Sequence, residues 1–356
     1  MSRDTQQTSH SPNPRWKNRP PNSNWGDFGP DDQNGRLNLI TNKEVLQAVS
    51  EVREGITFCL SLPLDYPGGS VLNPRRRPPV LRPTTRNGKP NINYCMGQDD
   101  GWESTDVMSD DYTVLYTQYS TQWDSFAHVG GMFDADGDGK PEPLYYNGFK
   151  AGIDVLGPTD GPRDGLEEGA SFAHALGIER MAERCVQGRG VLIDLHSRFG
   201  REHRPVGYDD MMRIMEEDEV VVEPGDMLAL RTGFDQLLLE MNKDPDEHTL
   251  HNSCPGLDGR DEKLLRWISD SGLSVIVADN IGVEWEPNPT TQSPYARTPL
   301  HEHCLFKNGI HLGELWHLSP LADWLKEHKR SRFLLTAPPL RLPGAIGSPA
   351  TPVATV

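Results

Sequence analysis

The residues best suited to chemistry lie at positions 118–128, within the stretch TQYSTQWDSFAHVGG. Carboxylate and imidazole groups are strong metal ligands, and an amide oxygen is a weaker one. A β-strand places every second side chain on one face, so a strand here would collect Gln118, Ser120, Gln122, Asp124, Phe126 and His128. Four of these six can bind a metal or move a proton. A strand of hydrogen-bonding polar side chains would give the same pattern.

An aspartate-rich stretch, FDADGDGKPEP, follows this segment. Asp134, Asp136, Asp138 and Gly139 match positions 1, 3, 5 and 6 of a calcium-binding loop. The twelfth position holds Tyr145 where a bidentate glutamate is expected. An acidic turn is therefore favoured over a weak calcium site.

Residues 63–111 are rich in proline, arginine, glycine and asparagine. A loop of this length in a compact domain is typical of a lid or a binding loop. Its run PRRRPPVLRP is basic in an acidic chain, so it either faces an anionic group or is a solvated loop.

The hydrophobic pattern alternates between strands and helices. Helical spacing follows Thr41 or Asn42 in KEVLQAVSEV, and it recurs in YDDMMRIMEED, DEKLLRWISDSG and SPLADWLKEH. Strands are predicted at residues 56–62, 112–129, 190–195, 226–233, 273–279 and 309–315, and in RFLLTAPPL. This alternation predicts an α/β fold with extra antiparallel structure in the first half. We expect one catalytic domain over residues 25–356, preceded by a flexible tail at residues 1–24.

Composition narrows the class of partner and the location. A net charge of -17 argues against nucleic acid or an anionic membrane surface as a partner. No run of about 18 apolar residues is present, so no membrane span is expected. The N-terminal segment lacks the apolar core of a secretory signal. Five scattered cysteines without a C-x-x-C pair are typical of a reducing compartment, and we predict a cytoplasmic protein.

Residues 118–128 resemble the signature H-x-G-T-H-x-D-x-P-x-H of the cyclase family, which contains metal-dependent bacterial kynurenine formamidases and isatin hydrolases. WGDFGPDDQNGRLNLIT resembles the opening loop of the long family members, and GRGVLIDL resembles a central strand. LHEHCLFKNGIHLGELWHLSPLA and FLLTAPPLRLPGAIGSPATPVA resemble their C-terminal segments. The resemblance covers residues 25–355. It implies a swivelling β/β/α fold, with a mixed flattened sheet or barrel flanked by helices.

The resemblance also implies roles for residues of the signature. In metal-dependent relatives the first two histidines and the aspartate bind metal, and the last histidine is the general acid/base. Asp124 matches the aspartate and His128 the acid/base. Gln118 and Gln122 stand where the relatives have their two histidines.

A distant histidine and glutamate complete the metal site of those relatives. His301 and Glu314 fit this pair, with His303 as the competitor for His301. The set predicts one divalent metal, Zn or Mn, held by Asp124, His301 and Glu314, with Gln122 or Gln118 as a neutral fourth ligand. A neutral amide in place of imidazole weakens Zn binding, so a metal-free site is the alternative.

Several other residues are candidates for a substrate pocket. The YYNG sequence at residues 145–148 resembles a motif near the pocket of long family members, although it also fits a plain turn. Each type of residue also has a structural interpretation. Aromatic residues commonly pack in a core, an arginine commonly forms an ion pair, and a histidine at a strand end commonly bonds to its neighbours. Asp279 and Glu284 are expected to fix loops. The substrate-binding candidates are Trp123, Phe126, Tyr146, Arg231 and His196, with Trp285 and Trp316 as further aromatic walls.

These features predict a metal-assisted hydrolase that opens an amide, lactone or formamide in a small, aromatic molecule, with His128 moving the proton. The first alternative is a metal-free cyclase, dehydratase or isomerase that uses His128. The second is a protein that binds a small molecule without converting it. By resemblance to relatives, we expect a homodimer or a higher homo-oligomer.

Overall fold

A computed structural model describes residues 15–160, 170–285 and 294–356. Within those ranges nine strands form one mixed sheet. In chain order they are β1 Thr57–Cys59, β2 Gln122–Asp124, β3 Gln187–Asp194, β4 Met227–Arg231, β5 Val275–Ala278, β6 His311–Glu314, β7 Arg332–Thr336, β8 Gly347–Pro349 and β9 Val353–Thr355. Across the sheet the order is β1-β9-β7-β3-β4-β5-β6-β2-β8.

The four central strands, β3 to β6, run parallel, and nearly all of their residues are buried. In β4, Leu228 and Leu230 pack into one hydrophobic core, whereas Met227 and Ala229 pack into a second. Burial on both faces explains why β4 and β5 are almost entirely apolar. The outer strands pair antiparallel, and the sheet curls into a half-barrel flanked by helices. The predicted α/β fold class is confirmed.

The helices of the described ranges pack around this sheet. They are α1 Asn42–Val49, α2 Gly97–Asp100, α3 Ile178–Glu183, α4 His196–Phe199, α5 Tyr208–Glu217, α6 Phe234–Met241, α7 Glu247–His251, α8 Glu262–Asp270, α9 Pro299–His301 and α10 Ser319–Glu327. The 3-10 turns Gly35–Leu39 and Tyr146–Gly148 and the π-helical turn Glu302–Lys307 complete the set. The predicted cap of α1 is Thr41, whose backbone N–H donates to Glu44 in a capping box.

Strand β2 positions the candidate chemistry. It lies between β6 and β8, with Gln122 opposite Glu314 and Asp124 opposite Leu312. Alternation along the strand directs Gln122 and Asp124 to one face and Trp123 to the other. The register of two strands distant in sequence therefore brings an amide and a carboxylate together.

The prediction of a single strand over residues 112–129 is wrong. Asp111–Val114 pairs with Val80–Pro83 in a separate ribbon, and only Gln122–Asp124 joins the main sheet. Between these strands the chain turns, and the buried hydroxyl of Thr121 accepts a hydrogen bond from the backbone N–H of Leu62. A polar side chain that bonds another segment's backbone competes with strand pairing.

The predicted long loop contains an arm, which we define as residues 80–114. Its ribbons pair Val80–Pro83 with Asp111–Val114, Thr85–Arg86 with Lys89–Pro90, and Tyr94–Cys95 with Val107–Met108. Large apolar side chains on the arm are exposed, among them Leu81 and Trp102. Elsewhere, short ribbons pair Gly131–Phe133 with Glu142–Leu144, Val155–Leu156 with Phe172–Ala173, and Pro205–Val206 with Gly256–Leu257.

Part of the predicted N-terminal tail packs on the domain. The backbone N–H groups of Lys17 and Asn18 both donate to the carbonyl of Ala135, and the Trp16 ring packs edge-on against Trp25 at 5.6 Å. Residues 15–24 therefore pack on the domain, and residues 1–14 lie outside the described ranges.

Two further findings concern the chain as a whole. All five cysteines lie in the described ranges, and each is a free thiol. Among the described helices, none combines the length and the apolar character needed to cross a membrane.

Candidate metal centre and active site

Three predicted site residues meet in one cluster. Asp124 ends β2, His128 lies on the turn that follows it, and His301 ends α9. One ligand atom from each lies within 4.8 Å of the others. The His128 and His301 rings face each other edge-on, with centroids 6.3 Å apart.

The Asp124 carboxylate is fully buried and only half partnered. Its Oδ1 accepts a hydrogen bond from the Gln118 side-chain amide. Its Oδ2 has no hydrogen-bond partner among the described residues and lies 4.0 Å from Nε2 of His128. Burial raises the pKa of Asp124, against the opposing influence of His128. A buried carboxylate oxygen in this position needs either a proton or a cation.

His301 is held between two carboxylates. Its Nδ1 lies 2.6 Å from Oε1 of Glu284, and its Nε2 lies 3.2 Å from Oε1 of Glu314. Burial opposes the charged imidazole, but these two hydrogen bonds outweigh it and raise the pKa of His301 to about 10. The Glu284 carboxylate also accepts the backbone N–H groups of Leu300 and His301. Glu284 thus fixes both the ring and the start of its helix, as the sequence predicted for a loop-fixing residue.

The two glutamines donate hydrogen bonds to the carboxylates of the site. Gln118 donates to Asp124, and Gln122 Nε2 donates to Oε2 of Glu314 at 2.9 Å. The other amide atom of Gln122, Oε1, is buried, and no group in the described part of the chain bonds to it. Burial tends to raise the pKa of Glu314, but hydrogen bonding to His301 lowers it below its usual value.

These residues fit a single divalent cation. Asp124 Oδ2 and Gln122 Oε1 are both buried oxygens that accept no hydrogen bond within residues 15–160, 170–285 and 294–356. Oxygen and imidazole donors suit several divalent metals. Asp124 and His301 belong to the predicted ligand set. His128, the predicted acid/base, lies beside them, and Glu314 is not part of this cluster. Both Glu314 oxygens already accept hydrogen bonds, from His301 and Gln122.

His303, the predicted competitor of His301, lies outside the cluster. Its Nε2 is 3.0 Å from the Ser269 hydroxyl and 3.3 Å from the Asn308 amide. His303 lies within the π-helical turn Glu302–Lys307, whereas His301 precedes it, and such turns are frequent at functional sites.

Trp123, Arg231 and His196 are not part of the site, which corrects three substrate-binding predictions. The Trp123 indole is fully buried in the opposite core, with its ring 5.1 Å edge-on from Trp316 and its N–H donating to the carbonyl of Ala337. Strand alternation gives the reason, since neighbours of Asp124 must point away from it. Trp316 is likewise a core residue.

The other two residues lie at strand ends where partners satisfy them. Arg231 forms ion pairs with Asp194 and Asp323. His196 Nδ1 lies 3.1 Å from the carbonyl of Gly200. For both residues this is the structural role that the sequence left open as the alternative to substrate binding.

Phe126 and Tyr146 are fully buried and line the core behind the cluster. Their ring centroids are 4.9 Å apart, and Phe126 also stacks on His311 at 3.9 Å. Neither side chain is exposed, so a direct role in substrate binding is not supported. The YYNG motif fastens the opening loop, because the Asn147 amide donates to the carbonyl of Asp32 and its oxygen accepts the N–H of Gly26.

Sequence reasoning missed two residues beside the cluster. His311 Nδ1 lies 2.9 Å from the backbone carbonyl of Asp124, and its Nε2 is buried without a partner. Arg76 donates to the backbone carbonyl of Gln118. The basic run was a signal for Arg76, whereas His311 is identified only by the pairing of β6 with β2.

The aspartate-rich loop has the hydrogen bonds of an acidic turn. The Asp134 carboxylate accepts the backbone N–H groups of Gly137, Asp138 and Gly139. Asp134, Asp136 and Asp138 lie close enough to share an ion, but exposed acidic groups are common without one.

A cavity of about 500 Å³ adjoins the cluster, and His301 and Glu284 form part of its wall. Other parts of the wall come from Phe234, which begins α6 after β4, and from Asn280 and Ile281, which follow β5. Ligands of α/β sheets commonly bind at this edge, where parallel strands end. The cavity is therefore the natural place for a substrate of this cluster.

The curled mixed sheet with its buried Asp/His cluster defines an α/β protein with a candidate metal centre. The Cyclase family model, described as "Putative cyclase", matches residues 58–285. The chain belongs to this cyclase family. No curated protein matches it.

Solved structures agree with the fold. A crystal structure described as a novel cyclase is 28% identical, with a TM-score of 0.72, over 94% of this chain and 99% of that chain. Isatin hydrolase A from Labrenzia aggregata, bound to benzyl benzoate, is 13% identical with a TM-score of 0.52, over 86% of this chain and 94% of that one. Isatin hydrolase A from Ralstonia solanacearum is 13% identical with a TM-score of 0.51, over 88% and 97% of the two chains.

Proposed function

We propose that the protein is a metal-assisted hydrolase that opens an amide, lactone or formamide bond in a small aromatic molecule. The observation that carries the proposal is the unpartnered Oδ2 of Asp124, buried and within reach of His128 and His301. A carboxylate without a proton or cation there would be strongly destabilising. Zn or Mn is the proposed ion, held by Asp124 and His301 with Gln122 Oε1 as a neutral oxygen.

His128 and Glu284 have distinct roles in the proposed reaction. When bound, the metal would polarise a substrate carbonyl and acidify a bound water. The His128 side chain is 25% exposed, so it can reach both water and substrate. It is placed to accept the proton of the attacking water and to deliver it to the leaving nitrogen or oxygen. Glu284 keeps the His301 ring in one orientation through its 2.6 Å contact with Nδ1.

The family supports hydrolysis as the reaction class. Isatin hydrolases share the fold, and one of them is bound to the product analogue thioisatinate. These names support a small aromatic substrate for this chain too. Homo-oligomer formation and a cytoplasmic location remain predictions from the sequence; the exposed apolar side chains of the arm support the first.

A second candidate is a metal-free cyclase, dehydratase or isomerase. It is favoured by the hydrogen bonds that already satisfy much of the site: His301 uses both ring nitrogens, and Glu314 both oxygens. His128 would then be the acid/base without help from a cation. The third possibility, binding without conversion, would be excluded by any observed turnover.

Metal content and activity together test these functions. We would measure bound metal by mass spectrometry and turnover of isatin and N-formylkynurenine in the unaltered protein, Asp124→Asn and His128→Asn. The metal-assisted function predicts loss of metal and activity in Asp124→Asn, and loss of activity with retained metal in His128→Asn. Full activity of Asp124→Asn without bound metal would refute it. Activity that resists chelation but is lost in His128→Asn would establish the metal-free alternative.

A further inference from the structure

Two arginines line the cavity beside His301, and no carboxylate of the described residues forms an ion pair with them. Arg75 and Arg297 are both exposed and both line this cavity. Within the described residues, neither guanidinium forms an ion pair with a carboxylate. The carboxylate of Glu284 is already engaged by His301 and two backbone N–H groups.

Other arginines of the described chain are neutralised by carboxylates. Arg189 and Arg201, for example, both form ion pairs. Guanidinium groups bind carboxylates through paired hydrogen bonds, which makes an anionic group the matching ligand.

The body of the cavity suits a flat molecule with a polar edge. Phe234 and Trp285 supply aromatic surface. Asn280 Oδ1 and Trp285 Nε1 are buried without hydrogen-bond partners in the described chain. Asn280 Oδ1 can accept a hydrogen bond and Trp285 Nε1 can donate one. Together they match a ligand that carries an N–H and a C=O group.

We propose that this cavity binds a small planar carboxylate whose anionic group is held by Arg75 and Arg297. The inference rests on the proposed function in one respect, because it places the reacting amide or ester of that molecule beside His301. The binding itself requires neither turnover nor metal. It also assigns a role to the basic run of the sequence, since Arg75 is its first arginine.

The same run supplies a matched control. The Arg77 guanidinium donates to the carbonyls of Pro74 and Arg76. It is exposed like Arg75 but is not part of the cavity wall. Arg77→Gln therefore removes an equal charge two residues away without changing the proposed site.

Equilibrium binding of two isosteric probes tests the proposal on the full chain. The fluorescence of 2-aminobenzoate would be titrated against the neutral 2-aminobenzamide, in the unaltered protein and in Arg75→Gln, Arg297→Gln and Arg77→Gln. Charge-assisted hydrogen bonds make the carboxylate bind about tenfold more tightly than the amide. Arg75→Gln and Arg297→Gln should each weaken carboxylate binding by about tenfold and leave amide binding unchanged. Arg77→Gln should change neither.

The proposal would be overturned by equal affinities for the two probes, by failure of the unaltered protein to bind the carboxylate, or by unchanged carboxylate affinity in either cavity variant. Titrations before and after chelation separate it from the proposed function. Carboxylate binding that is lost on chelation but insensitive to the arginines would mean that the probe sits on a metal, and this too would overturn it. Arginine-dependent binding in a protein without metal or turnover would support the cavity while refuting the hydrolase.

Discussion

Replacing Asp124 by asparagine tests the candidate metal centre without knowledge of the substrate. The variant keeps the size of the side chain and the hydrogen bond from Gln118, while it removes the charge that a divalent ion requires. In metal-free protein we expect Asp124→Asn to be at least as stable as the unaltered chain, because Oδ2 has no partner there. With metal bound, the unaltered chain should be more stable than Asp124→Asn.

The expected difference in stability follows from the free energy of metal binding to the folded state. An ion that binds only the folded state at a hundredfold excess over its Kd stabilises that state by about 2.7 kcal/mol. The entropy of unfolding is about 2.1 cal/mol/K per residue, so in a chain of 356 residues 1 kcal/mol corresponds to about 1.3 °C. The unaltered protein should therefore gain about 3 to 4 °C in Tm, and Asp124→Asn should gain about none.

Thermal denaturation after chelation, with Zn or Mn then added back, measures both effects. Asp138→Asn, a variant of the exposed acidic turn, serves as the matched control and should keep the full shift. Equal shifts in the unaltered protein and Asp124→Asn would place the ion elsewhere. A Tm that responds to neither ion would refute the metal centre.

Three further predictions test other parts of the structure. The double change Gln118→His and Gln122→His should raise bound metal above the unaltered stoichiometry, because imidazole is the stronger ligand; unchanged metal content by mass spectrometry would contradict this. Trp123→Phe removes a hydrogen bond to a buried backbone carbonyl, so it should lower the free energy of unfolding in urea by about 2 kcal/mol and change KM little. Unchanged stability with a raised KM would instead place Trp123 in the substrate pocket. Leu81→Asp on the arm should lower the mass seen in sedimentation, whereas Ile153→Asp, equally exposed outside the arm, should not; a monomeric unaltered protein would refute the oligomer.

The glutamines change what the site can do compared with the family signature. Each one donates its amide to a carboxylate of the site, Gln118 to Asp124 and Gln122 to Glu314. A hydrogen bond of this kind stabilises the buried charge without supplying a Lewis acid. The structure is thus consistent with one cation at Asp124 and with a hydrogen-bonded network around Glu314.

The central strands and the main helices could be predicted from local pattern alone. β3, β4 and β5 are short apolar runs, and α8 begins at an aspartate cap whose side chain accepts backbone N–H groups. The segment before β2 could not be predicted in this way. Its β-branched and aromatic residues favour a strand, but tertiary hydrogen bonds such as that of Thr121 turn the chain instead.

Residue types and spacings along the chain were enough to indicate the family resemblance and the candidate set of Asp124, His128, His301 and Glu314. Which of these residues lie together in space depends on the packing of distant segments. The pairing of β2 with β6 sets Gln122 against Glu314, and Glu284 turns His301 rather than His303 toward Asp124. Strand register and a helix start bring together groups far apart in sequence, and the burial that results gives one carboxylate oxygen its need for a proton or a cation.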